Sequence, residues 1–134
     1  MDKVATYQKI IFVKSADIDE LNHVNNVVYL SWVQDLAKEH WQIRASQEII
    51  NQYKWVVVNH DITYKKPLKF NQKAFIKIQV FDNAKGALWG RMVWIYDDSA
   101  VLVAEASTQW CLVDTQSFNP RRITDEIKSV FFSL

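Results

Sequence analysis

The strongest constraint in this sequence is the helix period of its segment from about Asn25 to Trp41, which differs from the period of everything downstream. The residues that recur on one face of this helix are Tyr29, Val33, Leu36, Ala37 and His40. The first two turns are apolar on nearly every side, through Val27, Val28, Leu30 and Trp32. A helix that is apolar all round at one end is expected to be enclosed there by other elements.

The segment from Lys54 to Asp114 instead alternates apolar and polar residues at period two, which predicts β-strands. It divides into four stretches, KWVVVNHDITYKKPL, KAFIKIQVFD, ALWGRMVWIYD and AVLVAEASTQWCLVD. The turns between them, such as NAKG and DDS, are short, and short turns favour antiparallel neighbours. The other predicted elements are a strand over residues 4–14, a short helix over 46–52, and a terminal helix over 123–132 capped by Thr124 or Asp125.

This order of elements predicts an α+β fold in which one curved antiparallel sheet packs on one long helix. Ala104 and Ala106, in the middle of the last strand, leave a trough where the helix can approach closely. The chain has 134 residues and no repeat or flexible linker, so we expect one domain over residues 1–134. A single sheet wrapped on one helix leaves an edge exposed, and we expect the protein to dimerise by pairing that edge.

Composition excludes several classes of function. The net charge is +1, which gives no field that would attract nucleic acid. Cys111 is the only cysteine and no two histidines have metal-ligand spacing, so no disulfide and no metal site is predicted. Two glycines cannot build a phosphate or dinucleotide loop. Without an apolar signal segment or an apolar run of about 20 residues, no membrane association is expected, and we predict a cytoplasmic protein.

A polar stretch, SADIDELNHVNN at residues 15–26, stands directly in front of the long helix. One interpretation is a surface loop that caps the helix, since asparagine is a good N-cap and carboxylates are favoured near a helix N-terminus. The other is a reaction centre, in which a carboxylate such as Asp19 lies beside unpaired backbone N–H groups that can hold an oxyanion. The residue types alone leave both interpretations open.

The segment Asp17–Asn26, followed by Tyr29, resembles the D-x-D-x-x-G-H-V-N-N-x-x-Y motif of the 4-hydroxybenzoyl-CoA thioesterase-like family, which includes long-chain acyl-CoA thioesterases. The later stretch VVVNHDITYKKPLKF is similar to that family's strand, where a hydrophobic run leads to tyrosine, basic residues and proline. The resemblance implies the hot-dog fold, with a sheet wrapped around a long helix, and a homodimer or dimer of dimers. One position departs from the motif, because Asn22 stands where the family has glycine. Asparagine tolerates left-handed backbone angles, so the turn can survive.

By this resemblance, Asp19 is the catalytic aspartate, acting as nucleophile or as the base that activates water. The thioester carbonyl would lie at the helix start, polarised by N–H groups near Asn25 and Asn26. The implied catalytic residues are Asp19, His23, Asn25 and Asn26, and the implied substrate-binding residues are Tyr29, Tyr64, Lys65 and Lys66. Arg121 and Arg122 are further candidates for contact with phosphate groups.

The function implied is hydrolysis of a fatty-acyl or aryl-CoA to free acid and coenzyme A, with no cofactor beyond the coenzyme A of the substrate. Two alternatives stay open: hydrolysis of thioesters on acyl carrier protein, and a non-catalytic module that binds acyl thioesters. A hydratase or dehydratase on the same fold is disfavoured, because His23 lies at the wrong place for the paired histidine and carboxylate of that chemistry.

Overall fold

The computed structural model describes residues 4–132, so the ends of the predicted domain lie outside the described residues. Its elements are β1 (Val4–Phe12), α1 (Asn26–Arg44), α2 (Gln47–Gln52), β2 (Tyr53–Tyr64), β3 (Lys73–Phe81), β4 (Leu88–Tyr96), β5 (Leu102–Asp114) and α3 (Asp125–Lys128). The predicted order of helices and strands is therefore confirmed. The terminal helix is shorter than predicted, a single turn capped by the Thr124 side chain, which accepts the N–H of Ile127.

The five strands form one antiparallel sheet in the order β1-β3-β4-β5-β2. β5 lies between β4 and β2 and pairs with both along most of its length, so it is an interior strand that is hydrogen-bonded on both sides. β1 and β2 are the two edges. On β2, Val56 and Val58 are exposed, on the side of the strand away from the helix.

Helix α1 lies across the concave face of this sheet, and its predicted apolar stripe is the buried one. Each stripe residue is at most 4% exposed: Tyr29, Val33, Leu36, Ala37 and His40. Ala104 and Ala106 are buried in the same cluster as Val33 and Leu36. Small side chains at the centre of the sheet thus make room for larger ones on the helix, as predicted.

The expectation that the first turns of α1 are enclosed on nearly every side is confirmed for Trp32, which is buried, and is wrong for Val27, Val28 and Leu30. Val27 is 67% exposed, and Val28 and Leu30 are only half-buried. The reason is geometric, because a single sheet covers one side of a helix and leaves the opposite side open. The N-terminal end of α1 therefore reaches the surface, where the polar loop precedes it.

The C-terminal half of α1 packs in a second cluster that is rich in aromatic side chains. Trp41, Trp89 and Phe131 are its largest members, and Ile127 of α3 closes it from outside. His40 borders this cluster, stacked on Tyr7 at 5.2 Å between ring centroids and tilted against Phe131. A titratable ring is thus enclosed by aromatic neighbours.

We expect His40 to make the fold sensitive to acid. Burial, with the nearby charges of Arg91 and Arg44, lowers its pKa from 6.5 to about 4. Between these values the unfolded chain binds the proton and the folded one does not, so the stability contributed by neutral His40 is present above pH 6.5 and lost on acidification toward pH 4. The loss should be roughly 2–3 kcal/mol, measured by urea denaturation across this range. The His40→Phe variant, which keeps the ring, should lose less over the same range, and equal losses would contradict this assignment.

Candidate active site

The loop before α1 is held in place by its own backbone and by one distant residue, Leu68. A tight turn forms because Asp19 N–H donates to the His23 carbonyl at 2.8 Å and Asn22 N–H donates to the Asp19 carbonyl at 3.1 Å. Val24 N–H donates to the carbonyl of Leu68 at 2.8 Å, and the Leu68 N–H donates to the Tyr29 hydroxyl at 3.1 Å. Leu68, fully buried, therefore joins the loop to the first turn of the helix.

Asn22 occupies the left-handed region of backbone space, with φ at +62°. This is the position where the motif has glycine, and the expectation that asparagine preserves the turn is confirmed. The side chain of Asn22 is exposed.

Asp19 is half-buried at the base of this turn. Its Oδ1 accepts the N–H of Leu21 at 2.9 Å and the N–H of His23 at 3.2 Å. Its Oδ2 accepts no hydrogen bond from any residue that the structure describes. One carboxylate oxygen thus fixes the side chain, and the other is available to a ligand.

The two asparagines at the helix start have different environments. Asn25 is the N-cap: its Oδ1 accepts the N–H of Val27 at 3.0 Å, and its own N–H donates to the Asp17 carbonyl at 2.9 Å. The expectation that the Asn25 N–H is an oxyanion donor is therefore corrected, since that group is already bonded. The Asn26 N–H donates to no residue within the described range 4–132. Among the two predicted donors, Asn26 is the one left for a ligand.

A cleft of about 360 Å³ opens beside the helix start. It collects seven of the eight predicted site residues, namely Asp19, His23, Asn26, Tyr29, Tyr64, Lys65 and Lys66. Asn25 does not line it. The cleft is completed by Leu21, Val24 and Pro67, so apolar and polar groups share its wall.

The two tyrosines form the side of the cleft that faces the sheet. Tyr29 is 2% exposed, and its burial raises the pKa of its hydroxyl. Tyr64 packs edge-on against Tyr29 at 5.4 Å and donates weakly, at 3.4 Å, to the carbonyl of Asn26. Tyr29 is thus a neutral structural hydroxyl, whereas Tyr64 is open to a ligand.

The predicted cations separate into two groups. Lys65 and Lys66 stand at the cleft, anchored by backbone N–H groups that both donate to the Val103 carbonyl. Lys65 Nζ lies 4.0 Å from Glu105, a loose ion pair, and Lys66 forms none with the described residues. Arg121 is instead paired with Asp114 at 3.2 Å, and neither it nor Arg122 lines the cleft. These two arginines therefore do not belong to this site.

Sequence reasoning missed a buried cation, Arg91, at the other end of the sheet. It is 3% exposed on the inner face of β4, between the buried residues Trp89 and Val93. The signal was present, since period two places residue 91 on the same face as residues 89 and 93. A charged residue on an otherwise apolar strand face is the pattern that would have found it.

Residues 4–132, which the structure describes, lack two features. They contain no group of three or more histidine, cysteine or carboxylate side chains arranged to hold a metal ion. No helix among them has both the length and the apolar character needed to cross a membrane.

Comparison with known proteins assigns the family. The model of the thioesterase-like superfamily matches residues 13–131, which include the polar loop, α1 and every strand from β2 to β5. The chain belongs to the thioesterase-like superfamily. A search of the curated proteins finds no match to the chain.

Solved structures show which fold the chain has. The probable thioesterase YbaW from Escherichia coli has a TM-score of 0.81 at 21% identity, covering 92% of this chain and 94% of its own. Slr0204, a 1,4-dihydroxy-2-naphthoyl-CoA thioesterase from Synechocystis, has a TM-score of 0.80 at 17% identity, covering 98% of both chains. A thioesterase from Thermus thermophilus, complexed with coenzyme A and zinc, has a TM-score of 0.78 at 16% identity, and the match covers 92% of this chain and 90% of that one. The chain therefore has the hot-dog fold, as its resemblance to the family motif implied.

Tyr29→Phe should destabilise the protein by about 1–3 kcal/mol, because it leaves the buried N–H of Leu68 without an acceptor. The free energy of unfolding in urea measures this loss. Tyr64→Phe is the matched control, since its hydroxyl is exposed and its one hydrogen bond is long; it should change stability by less than about 0.5 kcal/mol. Similar losses in both variants would show that the Tyr29 hydroxyl does not anchor Leu68.

Asn22→Val should cost about 1–2 kcal/mol, because a β-branched residue is strained at positive φ, whereas Asn22→Gly should be close to neutral. Thermal unfolding of the two variants side by side gives the comparison. If valine is tolerated as well as glycine, the left-handed turn is not required by the fold.

Proposed function

We propose that this member of the thioesterase-like superfamily hydrolyses acyl-CoA thioesters to a free carboxylic acid and coenzyme A. The observation that carries the proposal is the convergence, in one cleft, of the carboxylate of Asp19, the unpaired N–H of Asn26 and the two lysines. A carboxylate next to a backbone N–H donor at a helix start suits attack on a carbonyl whose oxygen becomes negative. The substrate brings its own coenzyme A, so the reaction needs no further cofactor.

In this proposal the thioester carbonyl oxygen accepts the N–H of Asn26, and the dipole of α1 adds to the stabilisation of the developing negative charge. Removing a single donor of this kind costs other enzymes roughly 3–4 kcal/mol of barrier. His23 and Asn25 act indirectly: His23 N–H holds the Asp19 carboxylate, and Asn25 caps the helix. Their proposed role is to position the groups that touch the substrate.

Asp19 then serves by one of two routes. As a base, its carboxylate takes a proton from water while the water oxygen attacks the carbonyl carbon, and the C–S bond breaks with release of the thiolate. As a nucleophile, its oxygen attacks first, releasing the thiolate and leaving a mixed anhydride that water hydrolyses. In oxygen-18 water, label in the Asp19 side chain after repeated turnover identifies the second route, because it enters when water attacks the aspartyl carbonyl of the anhydride and the first route never modifies Asp19.

The assignment of coenzyme A as the carrier rests on charge and on one solved relative. Lys65 and Lys66 place two positive side chains at the mouth of the cleft, where anionic phosphate groups can pair with them. The thioesterase from Thermus thermophilus, which has the same fold, was solved in complex with coenzyme A. Tyr64 is proposed to pack against the part of the substrate next to the thioester.

A second candidate is a module that binds acyl thioesters without hydrolysing them. It is favoured by the bonding of Asp19, whose Oδ1 accepts two backbone N–H groups and so has a structural reason to be a carboxylate. Measuring both the hydrolysis and the binding of acyl-CoA by the wild-type protein decides between the two candidates.

We further propose that the functional unit is a homodimer or a dimer of dimers, formed through the edge of β2. The edge position of β2 supports the proposal, since an edge strand has a row of unpaired backbone N–H and C=O groups that can pair with another copy, and the exposed Val56 and Val58 add apolar surface on the outer face of the same strand.

Asp19→Asn should reduce release of thiol from acyl-CoA by about 100-fold or more. Asparagine keeps an oxygen acceptor for the N–H groups of Leu21 and His23, so the loop remains folded while the charge is removed. Release is followed with a chromogenic thiol reagent on a panel of acyl and aryl thioesters, after subtracting the background of Cys111.

Glu20→Gln is the control, because Glu20 is the exposed neighbour of Asp19 and carries the same charge; it should retain the wild-type rate. Wild-type rates in Asp19→Asn would show that Asp19 is not catalytic. Tight binding of acyl-CoA by wild-type protein, with no hydrolysis of any substrate in the panel, would favour the non-catalytic candidate.

A further inference from the structure

A second cavity, of about 400 Å³, lies near the other end of α1, between the helix, the start of β2 and the inner face of β4 and β5. Its apolar and aromatic wall is formed by Ala37, Trp41, Ile50, Trp55 and Trp110, and Arg91 also lines it. Ala37 is eleven residues beyond Asn26, so this cavity begins about 16 Å along the helix from the cleft at its start. The volume is within the range of small-molecule sites in proteins.

Arg91 is the feature that sets this cavity apart. The side chain is almost wholly buried, yet its guanidinium donates no hydrogen bond to any residue in the described range, and Nε and Nη2 are both buried without an acceptor. Three aromatic rings surround the guanidinium carbon, at 5.7 Å for Trp55, 5.8 Å for Trp110 and 5.2 Å for Phe131. A group that can donate five hydrogen bonds thus makes none within this part of the protein.

No negative charge compensates Arg91 among the residues described around it. The other charged residues that line the cavity, Lys38 and Lys54, are also cations. His40 lies close enough for Arg91 to depress its pKa, so it is neutral near pH 7 and supplies no counter-charge. Burial lowers the pKa of Arg91 to about 10, which still leaves it charged at neutral pH. A buried charge without a partner is costly, and a ligand of opposite sign in the cavity would remove that cost.

We propose that this cavity is a binding site for a carboxylate carried on an apolar or aromatic body. Arg91 lines the cavity and its planar guanidinium can pair with a carboxylate, because its N–H donors match the two carboxylate oxygens, while the indole rings of Trp55 and Trp110 would cover the body of the ligand. The carboxylate has two possible sources: a free apolar acid, or a second carboxylate at the far end of a thioester's acyl group. The proposal does not depend on hydrolysis at Asp19.

The competing explanation is that Arg91 only stabilises the aromatic cluster through cation–π contacts. The two accounts differ in what the loss of the charge does. If Arg91 stabilises the fold through cation–π contacts, the Arg91→Met variant should be less stable than the wild type. If Arg91 is instead an uncompensated buried charge, the same variant should be equally stable or more stable, because an apolar side chain of similar length replaces the charge. Binding of acids should then be lost from a protein that is still fully folded.

The test is calorimetric titration of the full chain with 4-phenylbutyrate and with 4-phenylbutanol, which share a body and differ in the carboxylate. Wild-type protein should bind the acid at least about tenfold more tightly than the alcohol. The Arg91→Met substitution should lower the affinity for the acid by about tenfold or more and leave the affinity for the alcohol unchanged. Lys54→Met, which removes an exposed cation from the same cavity, should keep the affinity for the acid within about threefold.

Equal affinities for acid and alcohol in the wild type, or no binding of either, would overturn the proposal. So would an unchanged acid affinity in Arg91→Met, or an equal loss in Lys54→Met. If the methionine variant does not fold, Arg91→Lys is compared with the wild type in its place. Lysine keeps the positive charge but lacks the paired donors, so this variant should bind the acid more weakly than the wild type. Wild-type affinity for the acid in Arg91→Lys would overturn the assigned recognition.

Competition in the Asp19→Asn background distinguishes the two sources, once the acid is seen to bind. A coenzyme A thioester whose acyl chain ends in a second carboxylate should displace 4-phenylbutyrate if that carboxylate is the natural occupant. A thioester of the same length ending in a methyl group is the control. If neither displaces the acid, a free apolar acid is the occupant; both results support the site.

Discussion

The burial of one helix stripe on the concave face of the sheet is the interaction on which the rest of this structure depends. Val33 and Leu36 lie at the centre of it, over the alanines of β5, and their positions determine where the helix begins and ends relative to the strands. Because the sheet covers only one side of α1, outward residues are exposed near both ends of the helix, such as Val27 and Ile43. The polar loop lies at one end of the buried stripe and the aromatic cluster at the other, so the two ends of the helix have different chemistry.

At the N-terminal end of α1, Leu68 connects the polar loop to the first turn of the helix, and the geometry of the proposed site depends on this connection. Leu68 bonds the loop at Val24 and the helix at Tyr29, and Asp19 and Asn26 line the same cleft. Toward the C-terminal end, Arg91 lies on the inner face of β4 among aromatic rings. The helix thus separates a proposed reaction site from a proposed carboxylate site along its own length.

Much of this arrangement was predictable from the sequence, because hydrophobic period reports directly which face of an element is buried. All five residues of the predicted helix stripe are buried, and Asn22 has the left-handed backbone that the motif requires. Period cannot report which side a partner element covers, and for that reason the exposure of Val27 was missed. Nor can it assign hydrogen bonds, such as the one that engages the Asn25 N–H. The burial of Arg91 was not predicted, because period two places residue 91 on the inner face of β4 but a charged side chain on that face is usually expected to reach solvent.

In the proposed reaction, the carbonyl of the thioester lies against the N–H of Asn26, beside Asp19. The most direct measurement is the two-dimensional amide NMR spectrum of the Asp19→Asn protein, titrated with an intact acyl-CoA. The account predicts a large downfield shift of the Asn26 amide proton and a much smaller one for Asn25, whose N–H is already bonded to Asp17. An Asn26 amide that stays unchanged while acyl-CoA binds would contradict it.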